Sequence, residues 1–266
     1  MSIVIERRRL PGGAADTSYL EAGDSGNPPV IFIHGTSSDA QMGWGDAFQR
    51  LASRYHCLAP DLIGSGETRF HGDQPTFEDL LAQIEVLADT LDGTFDLVGY
   101  SLGGVLATAA AARFADRVRK LVTFGGWAYS DRPMRLLFSL WAALADRDRR
   151  QLAELVLYNG ASTAYLRALP EEFIALLLER YETLLAAGSA AQARIDAGVD
   201  IRALLGAVSA ETLVIGMQQD GMVPAVYCRE LADGIAGARY QEVASGHLVM
   251  MENPEAILAA IEAHLG

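Results

Sequence analysis

A serine stands between two glycines in the stretch Gly99-Tyr100-Ser101-Leu102-Gly103, where an apolar run meets an alanine-rich one. This pattern predicts a strand that turns sharply into a helix, with Ser101 at the apex in a sparsely allowed backbone conformation. Glycine at positions 99 and 103 removes the side-chain clashes that such a tight crossing would create. The turn would hold the Ser101 hydroxyl out as a nucleophile, and the backbone N–H of Leu102 would face the same space.

A serine hydroxyl needs a base, and two residues later in the chain have the required chemistry. A histidine can take the serine proton near neutral pH, and a buried carboxylate can fix the tautomer of that histidine. Asp220 and His247 each follow a predicted strand. Taken alone, Asp220 is better interpreted as a residue that caps the next helix or shapes a turn. A catalytic role therefore depends on elements that bring the three positions together.

Strand-like and helix-like segments alternate along the first half of the chain. Short apolar runs predict strands at 29–33, 55–60, 95–98 and 118–124. Residues 77–91 carry apolar side chains at helical spacing, and Thr76 is the expected N-cap. This alternation predicts a mostly parallel, doubly wound sheet.

The same pattern predicts where a ligand would bind. Residues 3–10 and 17–21 predict an antiparallel hairpin at the sheet edge. In a doubly wound sheet, the ligand crevice lies at the carboxyl ends of the parallel strands. His34, Asp61 and Ser101 each follow such an end, so we expect them at one edge of the sheet.

The alternation stops between about residues 130 and 207. This segment is rich in Ala, Leu, Arg and Glu, and it predicts about four helices. They are expected at 133–145, 147–158, 170–187 and 190–205. Strands return at 211–216 and 238–243, before a last helix at 254–265. The predicted domains are a core of residues 1–129 and 208–266, and an inserted helical domain of residues 130–207.

Two glycine-containing loops follow predicted strands. The His34-Gly35 turn suits an anion hole of backbone N–H groups as well as it suits an ordinary loop. The loop 61–68 has the glycines of a phosphate cradle, but it lacks a P-loop lysine and no helix begins directly after it. We interpret it as a turn-rich loop near a site.

Composition excludes several classes of protein. Half of the 266 residues are apolar, and the 34 acidic residues outnumber the 21 basic ones, which argues against a nucleic-acid partner. We expect a soluble, cytoplasmic protein without a membrane partner, because no apolar run is long enough to span a bilayer and no secretory signal begins the chain. The five histidines are dispersed, and Cys57 and Cys228 stand apart. We therefore expect no metal site, no cofactor and no disulfide.

Five motifs, in order, resemble the α/β-hydrolase family from about Ile3 to the C-terminus. They are the strand before His34-Gly35, Asp61-x-x-Gly64-x-Gly66-x-Thr68, Gly99-Tyr100-Ser101-Leu102-Gly103-Gly104, the segment 213–224 with Asp220, and Gly246-His247 before Glu252-Asn253-Pro254. The resemblance implies an α/β-hydrolase fold, with a mostly parallel eight-stranded sheet flanked by helices. It also identifies residues 130–207 as the cap of this family, which roofs the pocket and sets substrate choice.

The resemblance implies a catalytic triad. Ser101 would be the nucleophile, His247 the general base and then acid, and Asp220 the acid that orients the histidine. Some members of the family carry the acid after the preceding strand, where this chain has Asp131. The segment around Asp220 fits the family pattern, whereas Asp131 opens the cap, so we favour Asp220.

The resemblance also implies how the substrate would be held. The N–H groups of Thr36 and Leu102 would form the oxyanion hole, and His34 would be a structural turn residue. Aromatic side chains of the cap and its approach are candidates for the substrate pocket, although aromatics at helical spacing are more often core. These candidates are Trp127, Tyr129, Phe138, Trp141 and Tyr181.

Three functions remain open. Dehalogenases and epoxide hydrolases of this fold use aspartate as the nucleophile. The serine at position 101 therefore favours a cofactor-free serine hydrolase that cleaves an ester, thioester or lactone of a small lipophilic substrate through an acyl-enzyme. The same triad also serves acyl transfer, carbon–carbon cleavage or cyclisation. A non-catalytic ligand receptor is the third alternative, and a homodimer is also left open.

Overall fold

A mostly parallel sheet of nine strands forms the centre of the computed structural model, which describes residues 3–266. The strands are β1 Ile5–Leu10, β2 Ala15–Ala22, β3 Pro29–Ile33, β4 His56–Pro60, β5 Arg69–Phe70, β6 Phe95–Tyr100, β7 Val118–Phe124, β8 Glu211–Met217 and β9 Arg239–Val243. Eight of them lie in the order β1-β2-β4-β3-β6-β7-β8-β9, and β5 pairs with β2. The sequence predicted only eight strands, because the two residues of β5 are too few to carry a pattern.

The pairing of the strands follows the predicted topology. β1 and β2 form an antiparallel hairpin at one edge of the sheet, as the sequence predicted, and β2 is also antiparallel to β4. The pairs from β4 and β3 through β6, β7, β8 and β9 are parallel. The carboxyl ends of these parallel strands therefore lie along one edge, where a ligand crevice is expected.

Helices cover both faces of the sheet. Outside the cap they are α1 Ala40–Leu51, α2 Phe77–Ala88, α3 Leu102–Arg113, α9 Ala225–Asp233, α10 Val249–Glu252 and α11 Pro254–Leu265. Side chains of β3 alternate between two apolar layers: Ile31 and Ile33 share a layer with α2 and α3, and Val30 and Phe32 share the other with α1 and α11. Among residues 3–266, no helix combines the length and apolar character needed to cross a bilayer.

Helix α2 begins at the N-cap that its sequence predicted. The Thr76 side chain accepts a hydrogen bond from the Asp79 N–H, and the Asp79 carboxylate accepts one from the Thr76 N–H. This reciprocal capping box satisfies two backbone donors that the helix itself cannot pair. A cap of this kind contributes about 1 kcal/mol to helix stability.

Five α-helices and a 3-10 helix occupy the segment between β7 and β8, which we call the cap. They are α4 Arg132–Arg147, α5 Arg149–Gly160, α6 Thr163–Ala168, α7 Glu171–Leu184, α8 Ser189–Ala197 and the 3-10 helix Arg202–Ala207. Three of the predicted helices correspond to α4, α5 and α7, but the short α6 was not predicted, and the helix predicted over 190–205 ends at Ala197. Gly198 ends α8, and the next residues pair with the chain after β7: the Ile201 N–H donates to the Ala128 carbonyl at 2.8 Å. This pairing prevents the helix from continuing.

The cap packs on the core unevenly. Side chains of α4, the first part of α5, and α8 belong to the same apolar cluster as the sheet, α2 and α3. The end of α5 and helix α7 contribute to a smaller separate cluster around Leu157, Ala161 and Leu177. One half of the cap is therefore continuous with the core, and the other half packs mainly on cap residues.

Candidate active site

Ser101 occupies a strained turn between β6 and α3. Its φ of 56° and ψ of −123° lie in a region that residues other than glycine rarely adopt. A Cβ on Gly99 would lie 2.2 Å from the Gly103 carbonyl oxygen, and a Cβ on Gly103 would lie 2.0 Å from the Ile33 carbonyl oxygen. Only glycine fits either position, so the two glycines permit the turn that presents Ser101.

The loops after β8 and β9 bring Asp220 and His247 together. Asp220 Oδ2 lies 2.6 Å from His247 Nδ1, and both residues are buried. Asp220 Oδ1 accepts hydrogen bonds from the N–H groups of Met222 and Val223, each at 2.8 Å. Asp220 therefore shapes the turn after β8, and its contact with His247 suits the orienting role that the family resemblance implied. With Nδ1–H donated to the carboxylate, Nε2 of the neutral imidazole is left as the acceptor.

Two further residues fix the His247 loop, and no sequence pattern predicted a role for either. The Tyr100 hydroxyl donates to the His247 carbonyl at 2.7 Å, and the two rings lie 5.1 Å apart. The Glu252 carboxylate accepts from the N–H groups of Gly246 and Ser162, so it joins this loop to the cap. Both residues stood inside recognised motifs, which was the only signal available in the sequence.

Asp131, the alternative acid, has other partners. Its carboxylate accepts hydrogen bonds from the Met134 N–H at 3.2 Å and from the Tyr227 hydroxyl at 3.0 Å. It therefore caps the start of α4. The structure brings Asp220, and not Asp131, to His247.

The loop after β3 passes directly beside Ser101. A Cβ on Gly35 would lie 2.9 Å from the Ser101 Cβ, so this position also requires glycine. Thr36 follows Gly35 and lines the same cavity as Ser101, and Leu102 is the first residue of α3. Within residues 3–266, the N–H groups of Thr36 and Leu102 donate no hydrogen bond to the protein. Two free donors next to Ser101 suit the oxyanion hole that the family resemblance implied.

His34 connects the loops that follow β3 and β4. Its Nδ1 donates to the Gly35 carbonyl at 2.8 Å, and its Nε2 accepts from the Leu62 N–H at 3.0 Å. Burial lowers the pKa of His34, which favours the neutral ring that this bonding pattern requires. Within the described part of the chain, no three potential metal ligands lie together.

A cavity of about 380 Å³ separates Ser101 and His247 from the cap. Phe138, Trp141 and Tyr181, three of the predicted substrate-binding residues, line it. Ten further lining residues have aliphatic or thioether side chains, and no sequence pattern predicted them for the pocket. They are Met42, Val156, Leu177, Leu184, Leu185, Met222, Val223, Leu248, Met250 and Met251, and the aromatic Phe173 also lines the cavity. Leucine and methionine at helical spacing look alike in a core and in a pocket, so the sequence carried no signal for them.

The prediction that Trp127 and Tyr129 line the pocket was wrong. Trp127 lies behind the lining, stacked on Phe138 at 5.3 Å. The Tyr129 ring lies 4.0 Å from the Arg202 guanidinium, away from the cavity. Both residues belong to the connection between β7 and α4, whose backbone pairs with residues 199–201 and so directs it away from Ser101.

Known proteins similar to this chain share the same fold. Residues 28–254 match the family described as alpha/beta hydrolase fold. The chain is 30% identical over 256 residues to a pyrrolizixenacetamide deacetylase of Xenorhabdus hominickii, across 95% of this chain and 96% of that protein. It is 29% identical over 246 residues to a 2-hydroxymuconate semialdehyde hydrolase of Pseudomonas sp. strain CF600, across 85% and 82% respectively.

A solved structure also supports membership of the α/β-hydrolase fold family. A thermophilic esterase from Thermogutta terrifontis superposes with a TM-score of 0.84 and 26% identity, across 98% of each chain. The family match covers most of the sequence, including the strained Ser101 turn and the Asp220–His247 pair. The chain therefore belongs to the α/β-hydrolase fold family.

Proposed function

We propose that this α/β hydrolase cleaves an ester, thioester or lactone bond of a small lipophilic substrate through an acyl-enzyme on Ser101. The observation that carries the proposal is the 2.6 Å contact between His247 Nδ1 and Asp220, beside a serine held on a strained turn. A serine needs such an oriented base to attack a carbonyl at neutral pH. All three residues are buried, and Ser101 and His247 line one cavity, so water competes poorly for their hydrogen bonds.

The proposed reaction has two steps. Ser101 Oγ attacks the carbonyl carbon while His247 Nε2 takes its proton; the bond to the leaving oxygen or sulfur then breaks, and His247 returns the proton to that atom. Water then attacks the acyl-enzyme, His247 takes a proton from the water, and the protonated His247 restores the Ser101 hydroxyl as the acid leaves. The N–H groups of Thr36 and Leu102 would stabilise the oxyanion in both steps. Each such donor contributes about 3 kcal/mol.

The cavity supports a lipophilic substrate of modest size. Its volume of about 380 Å³ lies at the lower end of the range for small-molecule sites. Its walls are mainly leucine, methionine and aromatic side chains, and within residues 3–266 Asp46 and Arg180 are its only charged lining residues. An apolar acyl or alcohol group would therefore gain more from binding than a highly charged one.

A second candidate function is cleavage of an amide or carbon–carbon bond by the same triad. The similarity to a deacetylase and to a semialdehyde hydrolase favours it, since both matches extend over more than four-fifths of the chain. The attacking serine and its base would keep the same roles. Only the leaving atom would change.

Labelling with a fluorophosphonate, followed by mass spectrometry of the modified peptide, tests the proposed nucleophile. We expect one adduct on Ser101 and none in the Ser101→Ala variant. An unlabelled Ser101 in the folded protein would contradict the proposal. Assays with p-nitrophenyl esters, acyl thioesters and an N-acetyl anilide then separate the candidates, because turnover of the anilide alone would favour the second function.

A further inference from the structure

The loop that carries Thr36 contains a second strained residue. Ser37 has a φ of 64°, and within residues 3–266 only Ser37 and Ser101 are residues other than glycine with a positive φ. A left-handed conformation at a serine is unfavourable and persists only where the surroundings hold it. The two strained residues therefore flank the reaction centre, one at the nucleophile and one beside the oxyanion hole.

Every polar group of Ser37 bonds to the cap. Its N–H donates to Gln192 Oε1 at 2.8 Å, and its carbonyl accepts from the Ala186 N–H at 3.0 Å. Its hydroxyl accepts from Trp141 Nε1 at 2.9 Å. These partners come from α4, from α8 and from the connection before α8. The strained conformation of Ser37 is thus held by the cap and not by the core.

Gln192 is the central member of this contact. Its side chain is completely buried, and the same amide donates from Nε2 to the Ile63 carbonyl at 3.0 Å and to Ser65 Oγ at 2.9 Å. One residue of α8 therefore ties the loop after β3 to the loop after β4. Each polar atom of the amide has a partner, so its orientation is fixed.

Asp196 lies one turn after Gln192 in α8 and holds Thr36, the residue before Ser37. The Thr36 hydroxyl donates to Asp196 Oδ2 at 2.5 Å, while within the described residues the buried Oδ1 has no partner. Burial raises the pKa of this carboxyl to about 8, which favours its uncharged form at neutral pH. An uncharged acid can fix Thr36 without repelling an oxyanion beside it.

We infer that helix α8 holds the oxyanion-hole loop in its reactive conformation, with Gln192 and Asp196 as positioning residues for the N–H of Thr36. This inference rests on the proposed function. Oxyanion donors act only when they already point at the developing charge, and small displacements of such groups reduce rates strongly. The cap would therefore control the rate of acylation as well as the choice of substrate.

The first test compares two buried glutamines. Gln83 is 3% exposed, and it bonds to the Ile63 N–H, the Thr17 hydroxyl and the Asp61 carbonyl, but to no residue of the oxyanion loop. We expect Gln192→Met to lower the maximal rate of fluorophosphonate labelling about 10- to 100-fold, with the reagent's apparent affinity unchanged within about threefold. Gln83→Met should keep the labelling rate within about threefold of wild type, even if it lowers the melting temperature as much as Gln192→Met does.

The second test keeps or removes the acceptor for Thr36. Asp196→Asn retains a side-chain oxygen for the Thr36 hydroxyl, whereas Asp196→Leu has similar size and no acceptor. We expect the labelling rate of Asp196→Asn to stay within about threefold of wild type and that of Asp196→Leu to fall at least about tenfold. Circular dichroism and thermal melting establish that each variant is folded.

The outcomes separate this inference from the proposed function. A folded Gln192→Met that labels as fast as wild type, or an equal loss of rate in Gln83→Met, would overturn the positioning role alone. Equal rates for the two Asp196 variants would remove Asp196 from that role. A wild-type protein that takes no label on Ser101 would overturn the proposed function and this inference together.

Discussion

Two hydrogen bonds hold His247, one at its ring and one at its backbone. Asp220 binds the ring Nδ1, and the Tyr100 hydroxyl donates to the backbone carbonyl of His247. The N–H groups of Met222 and Val223 in turn hold the carboxylate of Asp220. The ring therefore has little freedom to rotate, and its tautomer depends on a single carboxylate oxygen.

Asp220→Asn tests that dependence. We expect kcat for a p-nitrophenyl ester to fall about 10³- to 10⁴-fold, because an amide does not stabilise the imidazolium and permits the wrong tautomer. Asp131→Asn is the matched control and should stay within about threefold of wild type, since Asp131 caps α4 and bonds to Tyr227 but does not contact His247. Equal losses in both variants would show that Asp220 has no special role.

Asp196 should make stability depend on pH. Its pKa is raised from 3.8 to about 8 by burial, so between about pH 4 and pH 8 the folded state holds a proton that the unfolded state releases. The free energy of unfolding should therefore fall as pH rises through this window, by up to about 1.4 kcal/mol per pH unit from this group. Urea unfolding at pH 5, 6 and 7 should show that Asp196→Asn lacks this contribution.

Asp200 provides the control for that measurement. It is exposed, and its hydrogen bonds to Arg202 lower its pKa, so it titrates below the measured window. The unfolding free energy of Asp200→Asn should run parallel to that of wild type from pH 5 to pH 7. If the Asp196→Asn curve also ran parallel to wild type, Asp196 would be ionised in the folded protein.

The sequence predicted some of these residues and not others. Ser101, Asp220 and His247 each follow a strand with motif glycines or a strongly apolar run beside it, so their positions could be inferred. Ser37, Gln192 and Asp196 could not. The two α8 residues are polar positions four apart on a helix, a spacing typical of any solvated face, and their burial depends on how the cap docks.

At the scale of elements, helices α7 and α8 of the cap differ in how firmly the rest of the protein holds them. Helix α7 buries only Leu177 and leaves Phe173, Leu176 and Leu184 more than two-fifths exposed. Pro170 at its N-cap offers no side-chain hydrogen bond. Helix α8, by contrast, buries most of its side chains and bonds to two loops of the core.

Hydrogen exchange should reveal this difference. We expect backbone amides in the middle of α7 to exchange at least about tenfold faster than those of α8, because few buried contacts resist local opening of α7. Mass spectrometry of the substrate-free protein at neutral pH measures both helices in one experiment. Equal protection of the two helices would mean that the cap opens as one unit.

The start of α8 meets the core backbone to backbone. The Gly188 N–H donates to the Gly64 carbonyl at 2.7 Å, and a Cβ on Gly64 would lie 2.8 Å from the Gly188 Cα. Gly64 also has a φ of 91°, which disfavours any side chain. Both faces of this contact therefore require glycine.

Gly64→Ala should cost more stability than the backbone conformation alone explains. Gly93 has a φ of 71° with no atom within 4 Å of its added Cβ, so Gly93→Ala measures the conformational cost by itself. We expect a loss of about 1 kcal/mol for Gly93→Ala and about 2 to 4 kcal/mol for Gly64→Ala in urea unfolding. Equal losses in the two variants would show that the cap moves to accommodate the added methyl group at position 64 without a further loss of stability.

At the scale of the whole molecule, the sheet was more predictable than the cap. The order of strands and helices follows from apolar runs and glycine-rich turns, which act locally. The number of cap helices, the lining of the cavity and the positions of Trp127 and Tyr129 depend on packing between distant segments. Pairing of residues 128–130 with 199–201 ends the helix predicted over 190–205 and directs Trp127 and Tyr129 away from the cavity, and no local sequence pattern indicates it.

The contact between Gly64 and Gly188 also bears on the route that substrate and product take. A cap anchored there through α8 cannot lift as a whole without breaking backbone and buried side-chain hydrogen bonds. Met42, Asp46 and Arg180, the last of them on α7, line the cavity and are exposed, so we expect substrate and product to pass beside them. We expect bulky substitutions at Met42 to slow the arrival of large esters while leaving small esters unaffected, so that size selection occurs at the margin of the cavity before any bond is broken.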